Sequence, residues 1–533
     1  IPEDFDHDGD LDLALSLEDG SIRLLRNEGG NRNQWVRIEL KGLQSNRFGV
    51  GAKVEVRKGS FFQRKICSAR PLLFGIGSRR DVDVVRIWWP TGVAQNVLAP
   101  PVGQTTVVEE KLGPPSSCPF LYLWDGSSFS FFTDVLDAAA LGVPLGDGTL
   151  LPHANKEDLL IPGSRVKPRD GRIVMQMTGE LREIVYLDSV RLSFVDHPAG
   201  TEIFPLDWAG RTPDSFSRLV QLSQLRPPVK AVVDTGEDVT SEVIKQDGVH
   251  VAKGIKTTRF NGLVEPHSLI LDLGDLSTIR RPALLLQGWI NWIDGDTLLA
   301  LTQGAGAGPF GPRLEIQSAN GAWQIVSENI GMPAGIGKHV VVKLPASFCG
   351  ENTRVRITTN LEIYWDRIAV GTIDNQKPRV SEALPLIESD LHFRGFSRLV
   401  RGSAGAPPWY DYTQTVSEAP WKPQHGLFTR YGALSPLLVS ADDRLAVFGP
   451  GDELTLVFGT PPSEVSQGMV RDYILRVDGW IKDANPSTRT GDQVEPLPTR
   501  TMTNYPFGET PSIANRDYWE TIDRYNTRVL GRR

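Results

Sequence analysis

The amino-acid sequence predicts an all-β protein built as a series of small domains, and three observations carry that prediction. The chain holds 52 Gly and 38 Pro, which suits turn-rich β structure. Apolar residues recur with a period of two through most segments, as in Trp35-Val36-Arg37-Ile38-Glu39-Leu40. Long amphipathic helical patterns are few. A length of 533 residues corresponds to about three to five domains of ordinary size. The net charge is -7 with no basic block, which argues against a nucleic-acid partner. No apolar run reaches the ~18 residues of a transmembrane segment. Cys67, Cys118 and Cys349 are the three cysteines; they allow at most one intramolecular disulfide and fit no zinc spacing.

Residues 4–12 read Asp-Phe-Asp-His-Asp-Gly-Asp-Leu-Asp and are the sharpest chemistry in the chain. Asp4, Asp6 and Asp8 alternate through a tight turn, so their carboxylates can converge on one point. Gly9 allows positive φ, Asp10 can offer its backbone carbonyl, and Asp12 can close the shell directly or through a water. Such an oxygen-only set suits Ca²⁺; the bland alternative is a solvated acidic turn. The position of an EF-hand's bidentate Glu is Leu15, and an alternating strand, Leu13-Ala14-Leu15-Ser16-Leu17, follows instead. The turn Glu18-Asp19-Gly20 leads to a second strand over 22–25. A calcium loop feeding a hairpin resembles the FG-GAP repeat of β-propellers and integrin-like proteins. Residues 1–32 are therefore expected to be a partial repeat, with further blades on its N-terminal side, because one repeat cannot bury its own apolar face. A Ca²⁺ loop of this kind also implies an extracellular, periplasmic or cell-surface setting.

Residues 33–112 form the next predicted unit. Strand 35–40 is followed by Ser45-Asn46-Arg47-Phe48-Gly49-Val50-Gly51-Ala52, strand 53–57, Phe74-Gly75-Ile76-Gly77 and Val84-Val85-Arg86-Ile87-Trp88-Trp89-Pro90-Thr91-Gly92. These segments, in this order, resemble the ASPIC/UnbV domain that follows FG-GAP repeats in cartilage-acidic-protein-like and bacterial proteins. The stretch 64–74 is shorter than the Gly/Ser-rich loop usual there. Asn46 and Arg47 are expected to cap a turn and pair with a carboxylate.

After a linker at 113–117, residues 118–208 read as a β-rich domain with strands at 118–124, 131–134, 172–177 and 185–195. His153, His197, Asp134 and Asp158 are types that could form a metal or acid/base site, but nothing in their spacing brings them together. Glu180 and Glu183 lie on one strand and not across a cleft, as a glycosidase pair must. Residues 209–255 are polar and Pro-interrupted and read as a linking segment.

Residues 256–375 show seven or eight short strands, the pattern of a β-sandwich. The closing strand Tyr364-Trp365-Asp366-Arg367-Ile368 resembles the end of a galactose-binding-like jelly roll. Trp292, Asp294 and Trp365 are the candidate glycan-binding residues there, with the alternative that the rings fill the core. Residues 376–533 read as a loop-rich β domain with clear strands at 453–458 and 473–477. Its Pro-rich tail, including Tyr505, is expected to wrap over its own domain or a partner. This region resembles the C-terminal extension of bacterial FG-GAP/ASPIC proteins.

No nucleophile elbow, zinc motif or complete phosphate loop is present. Gly335-Ile336-Gly337-Lys338-His339 lacks the Gly four residues before the Gly-Lys pair and has His where Ser or Thr is needed. The sequence therefore predicts a secreted or cell-surface calcium-binding, non-enzymatic protein that serves as a binding, adhesion or assembly module, with a protein partner or larger assembly. The alternative is a carbohydrate-binding or carbohydrate-active protein using the 256–375 sandwich; a third reading is a hydrolase whose acid/base pair forms only in three dimensions.

Overall fold

The computed structural model describes the chain except residues 44, 91–93, 111–117, 146–147, 153, 207–218, 319, 347, 349, 351–352, 377, 403–404, 417–423, 486, 508–515 and 532–533. Strands hold 48% of it and helices 7%, so the all-β class stands. The linker at 113–117, His153 and Cys349 lie outside the described residues. Contacts divide the chain into two compact units, one over residues 1–113 and one over most of the remainder.

The first unit holds three sheets. Pro2–Glu3, Asp12–Ser16 and Ile22–Leu25 form an antiparallel three-stranded sheet. In the second sheet Gln34–Lys41 lies between Leu72–Gly77, antiparallel, and Thr105–Glu109, parallel. The third runs in the order Phe61–Ile66, Lys53–Lys58, Val84–Trp88, Ala94–Leu98. Alternation explains the core: Val36 and Ile38, Val54 and Val56, Val85 and Ile87 are fully buried, two residues apart on each strand. Asn46 closes its own turn, bonding both N–H and C=O of Val50. Arg47 lies over the ring of Phe48 and, among the described residues, not on a carboxylate.

The second unit corrects the domain boundaries drawn from sequence. Strands Phe129–Asp134, Phe120–Trp124 and Ile173–Thr178 share one sheet with Asp452–Phe458, Leu386–Phe393 and Gly432–Ala433. The facing sheet pairs Lys156–Ile161 and Glu183–Pro198 with Met469–Asp483 and Ala446–Phe448. Strands from 120–198 and 386–483 thus build one sandwich, and Thr201–Pro205 passes to the next, pairing with Leu219–Arg226. Leu121, Met175 and Leu456 from one sheet meet Leu159, Val190 and Leu475 from the other in a single core. The longest ladder joins Glu183–Pro198 to Met469–Asp483 with a bulge at Asp188, whose carboxylate accepts from Asp442 N, Asp443 N and Arg500 Nε.

Between these halves sits a second sandwich of two five-stranded sheets. Its core joins Leu284, Val340 and Ile368 to Leu269, Leu314 and Ile357. The segment expected to link, 209–255, contributes a strand to each sheet, Leu219–Arg226 and Lys230–Val233. Its Pro interruptions mark the turn between two strands that end in different sheets. The tail wraps over its own domain: Val494 and Tyr505 are buried with Tyr186, Phe428 and Trp480.

Candidate functional site

The loop joining Pro2–Glu3 to Asp12–Ser16 brings the first three aspartates together. One carboxylate oxygen from each of Asp4, Asp6 and Asp8 lies within 4.8 Å of the others. Local bonding shapes the turn. Asp8 N–H donates to Asp6 Oδ1 at 3.2 Å and Asp10 N–H to Asp8 Oδ1 at 3.2 Å. Gly9 N–H donates to Asp4 Oδ2 at 3.1 Å. Gly9 is required twice over: its φ is +99°, and a Cβ there would lie 1.8 Å from Trp35 Nε1.

The aspartates then diverge in role. Asp12 accepts from Phe5 N at 3.0 Å and Asn27 N at 2.9 Å, tying the loop start to the end of the hairpin. The Asn27 N–H is the main reason its carboxyl sits below the usual range. Asp10 packs against Gly30, and neither Asp10 nor Asp12 joins the carboxylate triad. Two guanidinium groups flank the triad: Arg37 pairs with Asp4, and Arg26 lies 2.7 Å from Asp6. Asp4 is only 3% exposed, and its Oδ1 is buried with no hydrogen-bond partner among the described residues. An orphaned carboxylate oxygen costs desolvation without return, and a hard cation among three carboxylates would satisfy it. The donor set therefore fits Ca²⁺, which Asp4, Asp6 and Asp8 would hold while Asp12 fixes the loop.

A second acidic cluster forms in the other unit, where sequence offered no signal for it. Asp134 and Asp137 both close on Gly335, whose Cβ would lie 1.7 Å from Asp137 Oδ2 and 2.3 Å from Asp134 Oδ1. Asp134 Oδ1 accepts from Ile336 N at 2.8 Å, and Lys338 Nζ donates to Glu157 Oε1 at 2.5 Å and to the Asp134 carbonyl at 2.8 Å. Burial, reinforced by Asp134, pushes the Asp137 carboxyl well up. Burial alone would lower Lys338, but Glu157, Asp134 and Asp137 outweigh it and hold the ammonium charged. Glu157 and Lys338 border a cavity of about 390 Å³ that also touches Phe132, Lys156, Asp158 and Gln287. The segment rejected as a phosphate loop is thus the one that carries Lys338 into the interior.

Other candidates separate. His197 is buried against Asp472 and Thr201, Asp158 binds Arg476 through both carboxylate oxygens, and Asp134 belongs to the cluster above; the three share no site. Glu180 accepts from Ser397 N and Oγ. Glu183 is buried and pushed well up, first by burial and then by Asp483. The three candidate glycan-binding residues occupy different settings. Trp365 is 4% exposed and belongs to the sandwich core. Asp294 caps the helix Gly295–Ala300 by accepting from Thr297 N at 2.7 Å. Trp292 packs partly buried on the same core. Alternation sends Trp289 elsewhere, to stack on Tyr364 at 4.7 Å.

No curated protein matches the chain. Among solved structures, a GH31 alpha-xylosidase from Xanthomonas citri aligns at 7% identity over 74% of this chain and 31% of that one. Its TM-score is 0.14, so it carries no argument, and this chain spans about a third of that protein's length. The family model described as ASPIC and UnbV matches residues 42–114, and the chain carries an ASPIC and UnbV domain there.

Proposed function

We propose that this is a secreted or cell-surface calcium-binding β protein that acts without catalysis, as a binding, adhesion or assembly module. The observation that carries the reading is the Asp4, Asp6 and Asp8 triad with its buried, unpartnered Asp4 oxygen. Residues 1–32 are read as an FG-GAP-type repeat, since a calcium loop here feeds a hairpin whose strands are Asp12–Ser16 and Ile22–Leu25. The inserted sandwich is read as galactose-binding-like, used as a scaffold. A calcium loop of this kind works where calcium is millimolar, which supports an extracytoplasmic location. The buried cluster supports a structural role, because Glu157 and Lys338 bind each other and the backbone around them.

Isothermal titration with CaCl₂ and limited proteolysis with and without a chelator test this. Calcium uptake by the wild type, lost in Asp8→Asn, and chelator-dependent cutting at Arg23 or Arg26 are expected. No calcium uptake, or equal cutting in both conditions, overturns it.

A further inference from the structure

The four-stranded sheet of the first unit has one face in the core and one in water. Val54, Val56, Val85 and Ile87 turn inward and are fully buried. By alternation, the other face presents the register row Arg64, Glu55, Arg86, Asn96 across the four strands. The rows on either side are Phe62, Arg57, Val84, Leu98 and Ile66, Lys53, Trp88, Ala94. This outward face is neither an ordinary polar surface nor a core. Phe62 is 59% exposed, Ile66 64% and Leu98 71%.

Its charge is one-sided. Lys53, Arg57, Arg64 and Arg86 stand against Glu55 alone, on a chain whose net charge is -7. Glu55 is fully buried beneath two of these cations. It accepts from Arg57 Nε and, at 2.7 Å, from Arg64 Nη2. Asn96 holds Arg86 through Nε at 2.9 Å. Trp88 lies under the guanidiniums of Arg64 and Arg86, at 5.3 and 5.8 Å from its ring centre. The arginines are therefore held in place from below. The terminal N–H groups of Arg57 and Arg86 have no hydrogen-bond partner among the described residues. A guanidinium fork fixed in this way loses little entropy on meeting a carboxylate.

We propose that this face docks an extended acidic segment of a partner protein, with Asp or Glu alternating with apolar side chains. The carboxylates would meet Arg64 and Arg86, which stand two strand spacings apart, about 9.6 Å, on either side of Glu55, and Arg57 one row, about 6.7 Å, along the strands. The apolar side chains would cover Phe62, Ile66 and Leu98, which an acidic polysaccharide leaves wet; burying them favours a peptide. The inference deepens the assembly-module reading by naming the chemistry of the partner.

The test is fluorescence anisotropy of a labelled peptide of alternating Glu and Leu, added to the full chain at low and high salt. Binding that weakens at least ~tenfold with salt, and is absent for a Lys/Leu peptide, is expected. Arg64→Glu with Arg86→Glu, and separately Leu98→Ser, should each reduce it at least ~tenfold with the circular dichroism spectrum unchanged. Leu98→Ser leaves the arginine network untouched, so it stands as a control if the double variant misfolds. No binding, binding that charge reversal leaves intact, or binding of polygalacturonate in place of the peptide overturns the proposal. Calcium uptake is measured on the same sample. Uptake without peptide binding sinks this face alone, whereas peptide binding without uptake sinks only the calcium reading.

Discussion

The two acidic clusters solve the same problem in opposite ways. Around Asp4, Asp6 and Asp8 the charge stays near solvent, Arg26 and Arg37 offset part of it, and one buried oxygen is left over. Around Asp134, Asp137 and Glu157 the charge is enclosed, one ammonium offsets part of it, and burial pushes both aspartate carboxyls up. Carboxylates packed near water can exchange partners with dissolved cations. Carboxylates packed in a core must be neutralised by the fold itself. The first arrangement suits a ligand site; the second suits a clamp between the strand Phe129–Asp134 and the segment 335–338 of the inserted sandwich.

The comparison breaks most sharply at Lys338. Lys338→Met should leave Glu157 and Asp134 buried without their cation and lower stability by ~3–5 kcal/mol, read from urea unfolding. Arg26→Ala at the exposed triad should change stability by less than ~1 kcal/mol. Equal effects would mean that the interior cluster is not a clamp.

Lys482 sharpens the contrast, since it is a buried lysine with no carboxylate hydrogen-bonded to it among the described residues. Its ammonium contacts Tyr505 Oη at 2.5 Å and the Val494 carbonyl at 3.1 Å. Burial pushes its pKa down to about 7. Between pH 7 and the unfolded lysine value near 10.4, the unfolded chain binds more protons at this position. Stability from this residue therefore rises with pH across that window and is at its lowest below pH 7. Lys482→Met should remove that rise and stabilise the protein at pH 6 by roughly 1–4 kcal/mol. Denaturant midpoints at pH 6 and pH 9 measure it; a midpoint at pH 6 lower than wild type would contradict the assignment.

At the loop, Asp8→Asn should cut calcium affinity at least ~tenfold, about 1.4 kcal/mol, with little change in thermal stability without calcium. Arg26→Ala should raise affinity ~2–5-fold by removing a competing cation. Both are read by calorimetric titration. The smallest effect is on acid. The Asp12 carboxyl sits below its ordinary value of 3.8, chiefly through Asn27 N–H. Its contribution is complete above that value and is lost as pH falls through the lower folded one. Amide exchange at Phe5 and Asn27 should quicken only below about pH 4 in wild type, and at all pH values in Asp12→Asn.

Much of the first unit was legible. The spacing of Asp4, Asp6 and Asp8 put three carboxylates on one turn, and Gly9 is where positive φ is needed. Asp12 was not legible as a clamp, because its partners are the backbone N–H groups of Phe5 and Asn27, and Asn27 lies fifteen residues away. In the second unit, Asp137, Glu157 and Lys338 gave no pattern at all. Lys338 is 181 residues from Glu157, and the only local hint was a Gly-rich stretch that resembled something else. The tryptophans stayed open for a different reason: an aromatic ring reads alike in a core and on a binding face.

By itself the sequence determined the β class, the strand faces, the acidic loop and the segment that matches ASPIC and UnbV, all properties written in spacings of two to nine residues. Only the tertiary structure decided that strands from 120–198 and 386–483 share one sandwich, that 201–205 and 209–255 supply strands to the next, and that Trp365 is core. Side-chain alternation states which face of a strand is buried, but every strand offers the same backbone hydrogen bonds to any neighbour. The choice of neighbour is made by packing among residues hundreds of positions apart.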